Sequence, residues 1–132
     1  MTPPAISIVA ALIRDESGRV LLVRKRGTRA FMQPGGKRDP GENDAAALAR
    51  ELDEELGCRV VAGSARHLGE FVAPSANEPG FQVHASVYAV DVEGAIAPRA
   101  EIEDIMWVDP VNTDGIALAP LTRDHVLPLA RH

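Results

Sequence analysis

Apolar positions follow two different periods along this chain. Residues 6–14 and 20–26 are near-continuous apolar runs, and Asp15-Glu16-Ser17-Gly18 between them has the composition of a turn. They predict two mostly buried strands paired as a hairpin. Residues 44–56 switch to a helical repeat with no Gly or Pro inside it. Asn43 or Asp44 supplies an N-cap, and Gly57 closes the helix from the C′ position. At about 100° per residue, Ala45, Leu48, Ala49, Leu52 and Leu56 form a stripe that must face a core. Glu51, Glu54 and Glu55 cluster on an adjacent arc, with only Ala47 and Asp44 near them, and Asp53 points to the far side of the stripe.

After Gly57 the strand period returns. Residues 59–73 read as two strand pieces broken at Gly63-Ser64, and residues 81–92 alternate Val83, Ala85 and Val87 against His84, Ser86 and Tyr88. Between them, residues 74–80 (PSANEPG) form a turn-rich loop long enough to border a pocket. Residues 105–108 make a further strand. Residues 122–131 make a closing helix with Thr122 as N-cap, its length limited by Pro128. This order predicts an α/β fold, an α/β/α sandwich around a mixed β-sheet. A length of 132 residues fits one domain over 1–132 with a sizeable core.

Composition narrows the partners. A net charge of -5 argues against a basic surface that grips a nucleic-acid polymer, though not against a single nucleotide held through a metal. One cysteine cannot form an internal disulfide and fits a reducing cytoplasm. The apolar stretch 5–13 has no preceding Lys or Arg and is too short to span a bilayer, so it reads as a strand with no membrane role. Oligomeric state is open, a homodimer included.

The acidic arc is the first chemical signal. Glu51–Glu55 and Glu51–Glu54 are like-charge pairs one turn apart, each unfavourable by about 0.2–0.5 kcal/mol, in the half of a helix whose dipole prefers cations. A solvated acidic face is the ordinary explanation for such a run. Here, however, a loop with Gly35, Gly36 and Gly41 immediately precedes it. A divalent cation would offset the repulsion, and carboxylates with a backbone carbonyl make a hard oxygen site suited to Mg²⁺ or Mn²⁺ rather than zinc. His84 has no second His or Cys at ligand spacing and reads as a strand residue.

Gly36, five residues, Glu42, seven residues and then Arg50-Glu51-Leu52-Asp53-Glu54-Glu55-Leu56-Gly57-Cys58 resembles a complete Nudix box. Cys58 stands where the family prefers a larger aliphatic residue, and a free Cys serves as a small hydrophobe. The resemblance implies the same sandwich fold and Mg²⁺-dependent hydrolysis of the pyrophosphate in a nucleoside diphosphate linked to another moiety. It further implies metal binding by Glu51, Glu54, Glu55 and the carbonyl of Gly35, with Glu51 or Glu55 as base. Arg50 would orient a box glutamate, and Glu42 would brace loop and helix. The acidic segment 101–104 before Trp107-Val108 is similar to one that supplies a further ligand or base in such proteins, with Glu101 ahead of Glu103; surface acids on a loop are the alternative.

Around the box, the basic run Arg24-Lys25-Arg26 ends a strand that leads to the glycine loop. Arg24 and Arg26 are candidates for phosphate contact, against a charged strand end that discourages aggregation. Lys37 meets phosphate or only solvent. Phe31 stacks on a base or packs beneath the loop. The resemblance implies a small nucleotide substrate: a noncanonical or oxidised nucleoside triphosphate is one candidate, with ADP-ribose, nucleotide sugars, dinucleoside polyphosphates and coenzyme A as rivals. A different class is a Nudix-like sensor that binds a nucleotide without turnover, although such sensors usually lose box carboxylates.

Overall fold

The first apolar run folds as strand β1, Ala5–Leu12, and its continuity is explained by burial on both faces towards its C-terminal end. The computed structural model describes residues 2–131. The other elements in chain order are β2 (Val20–Lys25), β3 (Gly35–Lys37), α1 (Asp44–Leu56), β4 (Arg59–Val60), β5 (Arg66–Pro74), β6 (Gln82–Ala89), β7 (Val92–Glu93) and β8 (Ile102–Val108). A π-helical turn, Thr122–Val126, then runs into α2, Leu127–Leu129.

β1 pairs antiparallel with β3 and parallel with β6, whose other edge carries β5 antiparallel, giving a mixed four-stranded sheet. β2 pairs antiparallel with β8, and β4 with β7. Alternate residues of β1 and β2 serve two separate cores. Val9, Ala11, Leu21 and Val23 pack with Leu48, Leu52 and Leu56 of α1. Ala10, Leu12, Val20 and Leu22 pack with Leu121, Val126 and Leu127 of the C-terminal helical segment. Helix, strands and helix are therefore layered as an α/β/α sandwich. Among the described residues no helix is long and apolar enough to cross a membrane.

Three expectations need correction. The turn at 15–18 forms, with Asp15 accepting from the Ser17 and Arg19 N–H groups, but the hairpin does not continue. β1 and β2 share only the Arg14↔Val20 bridge and a Leu21 N–H bond to the Ile13 carbonyl, because β1 spends its length on β6. Runs apolar on both faces carry no alternation to specify a partner. On α1, Ala47 and Glu55 are buried while Ala45 and Ala49 are exposed, so the core-facing stripe is rotated towards the acids.

Thr122 is not an N-cap: it lies fully buried inside the C-terminal segment, and its hydroxyl donates to Gln33 Oε1 at 2.7 Å. The segment is π-helical there, with the Leu127 N–H bonded to the Thr122 carbonyl. Pro128 has no N–H with which to extend a regular α-ladder.

Candidate active site

Local chemistry places the glycine bend against α1. Asn43 caps α1 by accepting from the Ala46 N–H at 2.8 Å, and Gly57 ends it in the left-handed conformation at φ 70°. β3 runs beside β1 with Val9 opposite Gly36 and Ala10 opposite Gly35. Gly35, at φ 145°, has no room for a side chain because the Val9 carbonyl occupies that space. At Gly36 a Cβ would stand 2.6 Å from the Glu51 carboxyl carbon. Gly35 thus lets the strand close on β1, and Gly36 lets it press on the acidic side of α1. Asp39-Pro40-Gly41-Glu42 closes as a turn, with the Glu42 N–H bonded to the Asp39 carbonyl and Gly41 at φ 81°.

Arg50 ties this assembly together. Its Nε and Nη2 donate to the two Glu42 oxygens at 2.7 and 2.8 Å, a bidentate pair, and Nη2 also donates to the Lys37 carbonyl at 2.9 Å. Those hydrogen bonds hold the Glu42 carboxyl down at about 2. The remaining nitrogen, Nη1, donates to Glu51 at 2.9 Å and to Glu54 at 3.4 Å. Glu42 thus fixes the guanidinium, and the guanidinium holds Glu51.

The three box acids sit in different surroundings. Glu54 is exposed and Glu51 half-buried, whereas Glu55 is only 3% exposed and receives one hydrogen bond, from the Gly35 N–H at 3.3 Å. Burial first, then the charge of Glu51, push the Glu55 carboxyl up to about 8. Burial likewise raises Glu51, opposed by Arg50. Among the described residues no three acidic, imidazole or thiol groups converge at ligand spacing. The donor set fits a hard divalent ion: carboxylates on one side of a helix beside a glycine strand, with Glu51 on the cleft and Glu54 exposed.

A cleft of about 330 Å³ opens beside these groups. Gly35, Gly36, Glu51, Lys25, Lys37 and Glu101 line it, with Lys25 Nζ 3.5 Å from Glu101. The apolar Ile6, Ile8 and Val83, the loop residues 74–78, and Met32, Gln33, Ala119 and Leu121 complete the lining.

Other sequence candidates lie elsewhere. Arg24 pairs with Asp104 and donates to the Thr28 carbonyl, and Arg26 pairs with Glu103 at 3.3 Å. Phe31 carries the Arg24 guanidinium 6.0 Å from its ring centre and lines a separate shallow hollow with it. Strand parity explains this: Arg24 continues the Val20–Leu22 face that meets the C-terminal helical segment, whereas Lys25 continues the Leu21–Val23 face that meets α1. The member of the Arg24-Lys25-Arg26 run at the cleft is therefore Lys25, beside Lys37, and strand parity is the available signal. Glu101 reaches the cleft and Glu103 does not. Gln33 and Asn77 had no distinguishing sequence signal.

The NUDIX domain family model matches residues 4–129. An octanoyltransferase from Myxococcus xanthus is 39% identical over 117 residues, which cover 81% of this chain and 31% of that protein; the chain thus spans about a third of that relative. The CTP pyrophosphohydrolase of Escherichia coli is 32% identical over 123 residues, covering 87% of this chain and 84% of that protein. Among solved structures, the MutT protein from Methanosarcina mazei superimposes with a TM-score of 0.76 at 27% identity, covering 98% of this chain and 95% of that one.

Proposed function

Because the chain belongs to the NUDIX domain family, we propose that it hydrolyses the pyrophosphate linkage of a nucleoside triphosphate or related nucleotide with Mg²⁺, or Mn²⁺, as cofactor. The observation that carries the reading is the joint placement of Glu51, Gly35, Gly36, Lys25 and Glu101 in one cleft that Ile6, Ile8 and Val83 also line. A diphosphate is densely anionic and the protein has a net charge of -5, so Lys25 and Lys37 alone do not balance it. Glu51, Glu54 and Glu55 would hold the divalent ion with Gly35. When bound, that ion neutralises phosphate oxygens and lowers the pKa of water.

The chain's own residues do the rest. Glu51 lines the cleft and is oriented by Arg50, which makes it the group that accepts a proton from the attacking water. Glu101, across the cleft mouth and paired with Lys25, positions that water or a phosphate-bound cation. Lys25 and Lys37 attract the anionic chain, and the apolar lining takes the nucleoside. The relative covered over most of its length, a CTP pyrophosphohydrolase, supports a nucleoside triphosphate ahead of ADP-ribose or a nucleotide sugar. The lone buried Cys58 accords with a reducing, cytoplasmic setting.

The test is a panel of nucleoside triphosphates, ADP-ribose and nucleotide sugars, with and without Mg²⁺, with phosphate, pyrophosphate and nucleoside monophosphate measured separately. Metal-dependent release of nucleoside monophosphate and pyrophosphate from a triphosphate is expected. Binding without turnover on any member would make the protein a sensor.

A further inference from the structure

Gln33 is a polar residue inside the cleft that the hydrolytic machinery does not use. It is 6% exposed, and its one side-chain hydrogen bond is accepted by Oε1 from the buried hydroxyl of Thr122 at 2.7 Å. Among the described residues nothing accepts from its Nε2, yet no fully enclosed side-chain nitrogen or oxygen lacks a partner. The Nε2 group therefore meets open space, and the space that Gln33 borders is the cleft. An amide held through its oxygen by a hydroxyl donor turns its unpaired N–H groups to a ligand.

We propose that Gln33 is a specificity-determining residue that donates a hydrogen bond to a keto oxygen of the substrate's nucleobase, with Thr122 as the positioning residue that fixes the orientation of its amide. The inference rests on the nucleotide reading above and narrows it. Gln33 shares the cleft lining with Met32, Ala119, Leu121 and Ile8, apolar groups suited to a flat ring rather than to phosphate, and a neutral amide is a poor phosphate anchor in a cleft that Lys25 and Lys37 also line. Of the four common bases, adenine alone has no keto oxygen. A buried donor left unpaired by the wrong base gives stronger discrimination than apolar contact does.

The experiment measures kcat/KM, and equilibrium binding by calorimetry, for ATP, GTP, CTP and UTP with wild type, Gln33→Glu, Gln33→Leu and Thr122→Val. Wild type is expected to disfavour ATP at least tenfold, roughly the value of one hydrogen bond. Gln33→Glu keeps an acceptor for the Thr122 hydroxyl but turns an acceptor to the cleft, so the ATP disadvantage should shrink at least tenfold, mainly through KM. Thr122→Val should move the ratios the same way by a smaller factor. A uniform loss across all four nucleotides, or a wild type indifferent to the base, overturns the assignment. If wild type turns over none of them, the hydrolase reading fails, while the binding ratios still decide the role of Gln33.

Discussion

Gly36→Ala separates site geometry from folding. The backbone at Gly36 is open to any residue, but the new Cβ would lie 2.6 Å from the Glu51 carboxyl carbon and 2.7 Å from each of its oxygens. Ordinary contact begins near 3.4 Å, so the carboxylate must retreat by roughly 0.8 Å or more. Glu51 sits at the end of a flexible side chain bordering open space, so the helix need not move. Misplacing a reacting group by about 1 Å costs on the order of 10²-fold in rate. The expected result is a loss of about 10²-fold in kcat with a melting temperature lowered by only about 4 °C, since a side chain free to yield keeps the overpacking cost near the low end, about 1 kcal/mol. Steady-state kinetics and calorimetry on one preparation measure both. The control, Gly35→Ala, meets the Val9 backbone and should instead lose stability. Adding Glu51→Gln to Gly36→Ala should lower turnover far less than it does in wild type, because the two changes damage one interaction. Near-normal turnover in Gly36→Ala, or full additivity, refutes the reasoning.

Two further outcomes follow from the same side of α1. Glu54→Gln should cut turnover at least a hundredfold while Asp53→Asn, an exposed neighbour on another side of the helix, stays near wild type; equal damage contradicts the assignment. Without metal, the Glu55 carboxyl has a native pKa raised from 4.5 to about 8, so the native state binds more protons than the unfolded chain between those values. The Glu55 contribution to stability in EDTA should therefore be fully present below pH 4.5, fall as pH rises and level off above pH 8, at up to about 1.4 kcal/mol per pH unit in that window. Glu55→Gln should flatten the slope and Mg²⁺ should restore alkaline stability; urea unfolding across pH reads both, and a wild-type stability indifferent to pH there contradicts the burial argument.

Much of this was legible before any coordinates. The spacing from Gly36 through Glu55 fixed the loop, the helix and its caps, because glycines, an N-cap and a helical apolar repeat act locally. Partner choice was harder to read. β1 and β2 are apolar on both faces, so their pattern left the hairpin and the sandwich core equally open, and long-range pairing with β6 and β8 decided. The Arg24-Lys25-Arg26 run left phosphate contact and a charged strand end both open for a related reason: adjacent strand residues point to opposite layers, and only Lys25 shares the layer of α1. Glu55 was legible as an acid and not as a buried one, since a stripe counted from leucines and alanines stops short of the carboxylate beside it. Gln33 and Thr122, distant in sequence, form a contact that no local pattern announces.

The most direct measurement is a Mn²⁺ titration followed by the electron paramagnetic resonance signal of the free ion, on wild type and on Glu51→Gln, Glu54→Gln, Glu55→Gln and Glu103→Gln, each with a nonhydrolysable nucleotide. The account predicts that wild type and Glu103→Gln take up Mn²⁺ alike, and that each of the other three weakens uptake at least tenfold. Uptake undiminished in those three, or none in wild type, would contradict it.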